Sequence, residues 1–467
     1  MPEFPAQLLA EWTGGHWTTP PSSSLAGFTM DTRQLRAGQV FVAIATEKRD
    51  GHDFLEAAQA LGAGAALVAK ANPSVALPQL VVTDPLTAFQ TIAREHRRRF
   101  SGRVVGISGS AGKTSTKNLL TLLLGGEAGG VLATEGNLNN QLGVPLTLTR
   151  LDPALHKFAV VEAGISAPGE MAVLARMIEP DVSIITLVAP AHLEALGDVE
   201  GVAREKSALP RAVRTAGVAI FPKQCAGFTP FRDLEVNTIV VESAEVVRPA
   251  EPPKGVVYFA VTQRGDSTGV ALAYGPPPPL VFTFRRVSEG MAQNAALAIC
   301  AALWLGVSHQ IIQDRIAAWE PAKFRGELRR EKGRLLYLDC YNANPASMTD
   351  ALDAFYTLAP ANEPRLLVLG GMEELGAGAE MFHRALGRSL HLRAQDALFV
   401  IGDHAAAVRL GALENGNRPE QINVVTSLAP IAARLAAFRG AVFLKGSRRY
   451  QLEQALPATS AQEAVHA

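Results

Sequence analysis

The 467-residue chain has little cysteine and no net charge. Its three cysteines, Cys225, Cys300 and Cys340, stand far apart, without the short spacings of a zinc site or the density of a disulfide framework. That usage suits a reducing compartment, and the chain is expected to be cytoplasmic. Lysine plus arginine balances aspartate plus glutamate at 44 each, so no global field draws the chain to nucleic acid or to an anionic membrane. Its partners are expected to be small molecules. The opening segment, 1–12, has no basic stretch followed by an apolar core, so it is not expected to act as a secretory signal. Nor does any apolar run reach the roughly 20 residues that a membrane-spanning helix needs. The most apolar helical run, Ala295 to Val307, reads as a buried helix. Hydrophobic residues make up 48% of the chain, ample for packed cores, and its length predicts about three domains of ordinary size.

Against that background one stretch is specific. Residues 103–124 read as a β-branched strand, a glycine-rich turn and a helix with an apolar stripe through Thr116, Leu119, Leu120 and Leu123. The turn is a phosphate-binding loop. Backbone N–H groups from Gly109 to Lys113 would converge at the positive end of the helix, where a polyphosphate can sit with its oxygens paired. Lys113 would reach the β- and γ-phosphates, and the Thr114 hydroxyl is placed to ligate Mg²⁺. The first glycine falls early, at Gly106, so the form is Gly106-x-x-Gly109-x-x-Gly112-Lys113-Thr114.

Other polar groups are less specific. Asp31-Thr32-Arg33 and Asp50-Gly51-His52 lie in loops beside strands, and alone would be turns and caps. The arginines at 97–99 read as the solvated end of a helix before a domain boundary. Asn137, Asn139 and Asn140 suit either turns or a sugar or peptide ligand. Glu162 and His192 follow buried-type strands, the end where open α/β sheets bind ligands. A helix cap and a satisfied loop histidine are the bland alternatives, and for His192 spacing alone favours the bland one. Lys206 reads as an ordinary exposed helix lysine. Residues 240–284 read as a small β excursion, and a helix is expected to begin near Gln293-Asn294. The last third alternates strands (335–338, 365–369, 397–401, 423–426, 441–444) with helices, a Rossmann-like pattern without the G-x-G-x-x-G fingerprint. The end of the chain, from about 458, is small and polar and is expected to be disordered.

Together these pieces resemble the Mur ligase family over nearly the whole chain. The resemblance rests on the early-glycine loop 109–117, on 136–148, 191–197 and 444–448, and on Tyr341-Asn342-Ala343-Asn344-Pro345. It implies a three-domain α/β architecture: a UDP-substrate domain over 1–100, a central ATP-binding domain over 101–322 and a C-terminal Rossmann-like domain over 323–457. It implies ATP-dependent joining of D-alanyl-D-alanine to UDP-N-acetylmuramoyl-tripeptide by a monomer. Gly109, Ser110, Ala111, Gly112, Lys113, Thr114 and Ser115 would hold the ATP phosphates, Asn294 the adenine, Asp339 the ribose and Arg325 the γ-phosphate. Two Mg²⁺ ions would be held by Thr114, Glu162, His192 and a Lys206 carboxylated by CO₂. Thr32, Arg33, Asp50, Gly51 and His52 would face the uridine nucleotide. Asn137, Asn139, Asn140, Tyr341, Asn342 and Asn344 are implied to contact the substrate, with Lys445 and Ser447 near the incoming peptide. Gln293, Cys340 and Gly371 depart from the family's usual residues.

Overall fold

The computed structural model describes residues 2–246, 253–331 and 333–457. The expected disordered end, 458–467, lies outside them. Among the described residues no helix is long and apolar enough to cross a membrane.

Three sheets organise the chain. The first has five strands in the spatial order His16–Trp17, Gln79–Val81, Ala65–Val68, Val40–Val42 and Phe28–Thr29, all parallel except the first. Its inner strands are buried on both faces, as parallel strands covered by helices must be. On one face Phe4, Phe28, Phe89 and Ile92 form the core; on the other, Phe41, Leu55 and Val68.

The central sheet has nine strands, in the order Leu280–Arg285, Ser267–Leu272, Val256–Arg264, Thr238–Ser243, Val218–Pro222, Val182–Ile185, Arg103–Ser108, Phe158–Glu162 and Val131–Ala133. The small β excursion expected over 240–284 is built as an extension of this central sheet. Val256–Arg264 pairs in parallel with Thr238–Ser243, and the next two strands continue the same sheet antiparallel. They stay attached because Phe259, Val270, Phe282 and Phe284 share one core with the almost wholly buried helix Glu289–Trp304. That helix also begins earlier than expected, since Ser288 caps it by accepting from the Met291 amide at 3.1 Å.

The third sheet runs Glu327–Glu331, Arg334–Asp339, Ala441–Lys445, Arg365–Gly370, Ala397–Ile401 and Ile422–Val425, parallel except for the first. That edge strand, Glu-Leu-Arg-Arg-Glu, has no apolar alternation to betray it, and sequence reading missed it.

The arginine run needs a second correction. Arg97 ends the helix Pro85–Arg99 fully buried, not solvated. Its guanidinium donates to Ile178 O (2.9 Å), Glu179 O (2.8 Å) and the Asp181 carboxylate (3.0 Å), fastening the helix to the central sheet. Arg98 and Arg99 do stay at the surface.

Candidate active site

The strand Arg103–Ser108 lies inside the central sheet, between Val182–Ile185 and Phe158–Glu162, and the loop leaving it is shaped by two glycines. Gly109 has φ +150° and Gly112 +78°, and side chains there would strike Thr186 and Asn294. The loop is held from outside: Ser110 N–H donates to Leu187 O (2.8 Å), Ser110 Oγ to Ala189 O (2.8 Å) and Thr186 Oγ1 to Ala111 O. Helix Lys113–Leu123 follows, and its expected stripe, Thr116, Leu119, Leu120 and Leu123, is fully buried. Lys113 folds back on Gly109 O at 2.9 Å, and burial pulls its pKa down. Gly112→Ala would force a left-handed backbone on an L-residue and place its Cβ 2.3 Å from Asn294 Nδ2. The backbone cost alone is about 1–2 kcal/mol, so calorimetric titration with ADP should show roughly tenfold weaker binding.

Glu162 ends the next strand, Phe158–Glu162, and is 1% exposed. Its Oε1 accepts from Thr114 Oγ1 (3.1 Å) and Asn139 Nδ2 (2.8 Å), while its Oε2 is buried with no partner. A buried carboxylate oxygen left unpaired beside a loop threonine fits a divalent cation. Among the described residues no three His, Cys, Asp or Glu side chains gather into a metal cluster, so phosphate oxygens and other donors must complete such a site.

Lys206 is the main surprise near Lys113, although it does not line the cavity between the central and C-terminal sheets. The reading of it as an exposed helix lysine is corrected: it is 1% exposed, with no hydrogen bond among the described residues. Burial, reinforced by the neighbouring Lys113 charge, holds its pKa well below that of a free lysine, which shifts it toward the neutral amine. A neutral amine is the form that reacts with CO₂.

The opposite wall comes from the third sheet. Together the two sides enclose a cavity of about 270 Å³. Lys113, Thr114, Asn139, Glu162 and Asn294 face it from the central sheet, and Arg325, Asp339, Tyr341, Asn342 and Lys445 from the C-terminal one. Arg325 stacks on the Tyr341 ring, 3.8 Å from its centroid, which aims a fixed cation at the loop's side of the cavity. Lys445 donates to Asp339 (2.5 Å) and to Asn342 O (3.3 Å), tying two expected ligand contacts to each other. Asn344 lines the cavity too, but as a cap: it accepts from Ser347 N, and its Nδ2 donates to Ser110 O at 2.9 Å, fastening the C-terminal sheet to the phosphate loop.

Other expected contacts lie elsewhere. Ser447 is buried outside the cavity, accepting from Glu373 N at 3.2 Å. His192 Nδ1 pairs with Glu374 and does not line the cavity. Asn140 accepts from the Leu142 and Gly143 amides as a turn residue, and Asn137 is exposed. In the N-terminal sheet Asp31 caps Thr32–Gln34 and pairs with Arg33 at 2.7 Å. Asp50 accepts from His52 N (2.9 Å) and Nδ1 (2.6 Å), while His52 Nε2 accepts from Ala69 N (2.9 Å). These groups follow the neighbouring strands Phe28–Thr29, Val40–Val42 and Ala65–Val68, so they gather at one carboxyl edge of that sheet. Gly51 fits there because a Cβ would lie 2.6 Å from Ile44 N.

Sequence reasoning missed Asp350. It lines the cavity from helix Pro345–Leu358 and accepts from Gly290 N at 2.7 Å, closing onto the start of helix Glu289–Trp304. Burial raises its pKa. A lone helical aspartate carries no signal that another domain's helix end will meet it.

A phosphate-type loop and a buried carboxylate on one side of a cavity, with an arginine from a separate sheet on the other, are the arrangement of a nucleotide-binding enzyme whose site is shared between two domains. Family models match this chain over 24–97 ("Mur ligase family, catalytic domain"), 107–245 ("Mur ligase middle domain") and 324–448 ("Mur ligase, glutamate ligase domain"). The UDP-N-acetylmuramoyl-tripeptide--D-alanyl-D-alanine ligase of Escherichia coli (strain K12) is 31% identical over 437 residues, 93% of this chain and 94% of the relative. Among solved structures, MurF from Acinetobacter baumannii aligns with TM-score 0.85 at 28% identity, covering 97% of this chain and 98% of that one. MurF ligase from Thermotoga maritima in complex with ADP aligns with TM-score 0.78 at 26% identity, covering 94% and 98%. The chain belongs to the Mur ligase family, and its fold is the family's three-domain α/β architecture.

Proposed function

We propose that this chain joins D-alanyl-D-alanine to UDP-N-acetylmuramoyl-tripeptide at the expense of ATP, completing the UDP-N-acetylmuramoyl-pentapeptide precursor of peptidoglycan in the cytoplasm, as a monomer of three domains, 1–100, 101–322 and 323–457. The observation that carries the reading is the cavity with Lys113, Thr114 and Glu162 on one wall and Arg325 and Asp339 on the other. The names of the relatives at about 30% identity over most of the chain supply the substrates.

In this reading the loop amides of Gly109 to Ser115 and Lys113 cradle the ATP phosphates, and Asn294 and Asp339 hold the nucleoside. The tripeptide's terminal carboxylate attacks the γ-phosphorus, an acyl phosphate forms and ADP leaves. The D-alanyl-D-alanine amine then adds to the acyl carbon and loses a proton, and the tetrahedral intermediate expels phosphate. Arg325 reaches the transferring group from the C-terminal side, so the site is complete only when the domains meet, and closure keeps water from the acyl phosphate. Thr114, Glu162, His192 and a carboxylated Lys206 would hold two Mg²⁺ ions, which neutralise the charge on the phosphoryl oxygens. The uridine end of the substrate is assigned to the N-terminal edge bearing Thr32, Arg33 and Asp50 to His52.

Phosphate release from MgATP tests this directly. It should require both UDP-N-acetylmuramoyl-tripeptide and D-alanyl-D-alanine, with a pentapeptide product by mass. Release indifferent to both would leave a nucleotide-driven switch instead.

A further inference from the structure

His192 and Glu374 meet where a loop of the central domain, ahead of helix Leu193–Leu196, touches a loop of the C-terminal one, and both hold a left-handed backbone, φ +54° and +62°. Two bulky residues in that conformation at one contact are uncommon, and such strain persists only where the surroundings enforce it. The surroundings do: Glu194 N donates to Glu374 O at 3.4 Å. Gly376, also left-handed at φ +59°, packs so close that a Cβ would lie 3.1 Å from Glu194 Cα. The side chains pair through His192 Nδ1 and Glu374 Oε2. His192 Nε2 has no hydrogen-bond partner among the described residues. With Nδ1–H donated to a carboxylate, the ring is fixed in one tautomer and its Nε2 lone pair is presented outward. Carboxylates behind metal-binding histidines act in this way.

We infer that Glu374 is a positioning residue that orients His192 Nε2 toward a divalent cation, so that docking of the C-terminal domain also sets a metal ligand of the central one. The inference rests on the proposed role of His192 as a ligand. It differs from a plain ion-pair latch, which would hold the domains together without regard to the metal. It also assigns a task to a surface glutamate that lies outside the cavity.

The test is titration of the full chain with Mn²⁺ in the presence of ADP, read as free Mn²⁺ by electron paramagnetic resonance, in a double-mutant cycle. Glu374→Ala should weaken the more weakly held Mn²⁺ about tenfold in the native background and leave it unchanged in a His192→Ala background. Glu374→Gln, which keeps size and an acceptor oxygen, should fall between native and Glu374→Ala. An equal loss in both backgrounds would overturn the inference in favour of a latch. An unchanged affinity in Glu374→Ala, with a loss in His192→Ala, would overturn it while leaving His192 as a ligand. No loss in His192→Ala would overturn both.

Discussion

Arg97→Ala is expected to destabilise the protein by about 3–5 kcal/mol, the range for breaking a buried ion pair from one side. The side chain is wholly buried, and three elements depend on it. Removing it leaves the carbonyls of Ile178 and Glu179 without this donor and takes from the Asp181 carboxylate its buried cation, leaving it only Val104 N at 2.9 Å and the more exposed Arg103 at 3.2 Å. Arg103 is half-exposed and cannot replace the lost pairing. The neighbouring Arg98 makes the control. It pairs with Glu179 at 2.6 Å in solvent, and exposed pairs are worth about 0–1 kcal/mol, so Arg98→Ala should be nearly silent. Urea denaturation followed by intrinsic fluorescence would compare the two. Equal midpoints would mean that water enters the Arg97 site and that the two sheets are fastened elsewhere.

The same residue shows what could be read from the sequence and what could not. The phosphate loop, its helix and the parallel strands were legible because their signals are local: a fixed glycine spacing, an i, i+3, i+4 stripe, a short β-branched run. Arg97 and Lys206 were misread because charge was taken to mean exposure. Their positions carried a contrary signal. In Pro85–Arg99 the buried residues are Ala88, Phe89, Ile92 and Ala93, and Arg97 continues that face; in Val199–Lys206 the face is Val202, Ala203 and then Lys206. A charged residue in register with an apolar stripe is either a defect or a group with a distant partner. The partners themselves, Asp181 for Arg97 and Lys113 beside Lys206, come from tertiary contacts far along the chain. No local pattern shows them, nor the meeting of Asp350 with Gly290 or of Glu374 with His192. The polar edge strand Glu327–Glu331 was invisible because its pairing with Arg334–Asp339 is set by the backbone rather than by alternation.

Lys206→Ala should lower ligation by roughly 10²-fold or more, the scale for losing one preorganised charge at a phosphoryl-transfer site, while ADP still binds. Burial to 1% exposure without a partner pushes a lysine toward its neutral form, and an amine in such a place fills space that methionine would fill better. The amine becomes useful if its nitrogen attacks CO₂, forming an N–C bond and losing a proton, because the product is an anion beside the Lys113 charge. The carboxylate, rather than the lysine, is then the functional group. Lys206→Met, which keeps volume and fold, should be as inactive as Lys206→Ala. Short carboxylic acids such as acetate should restore part of the activity to the alanine variant, which leaves room for them, and none to the methionine variant. A carbamate carbon signal after exchange with ¹³C-bicarbonate, present in the native chain and absent from both variants, is the direct observation. Full activity in Lys206→Met would remove the carbamate from the mechanism and leave Lys206 as a packing residue.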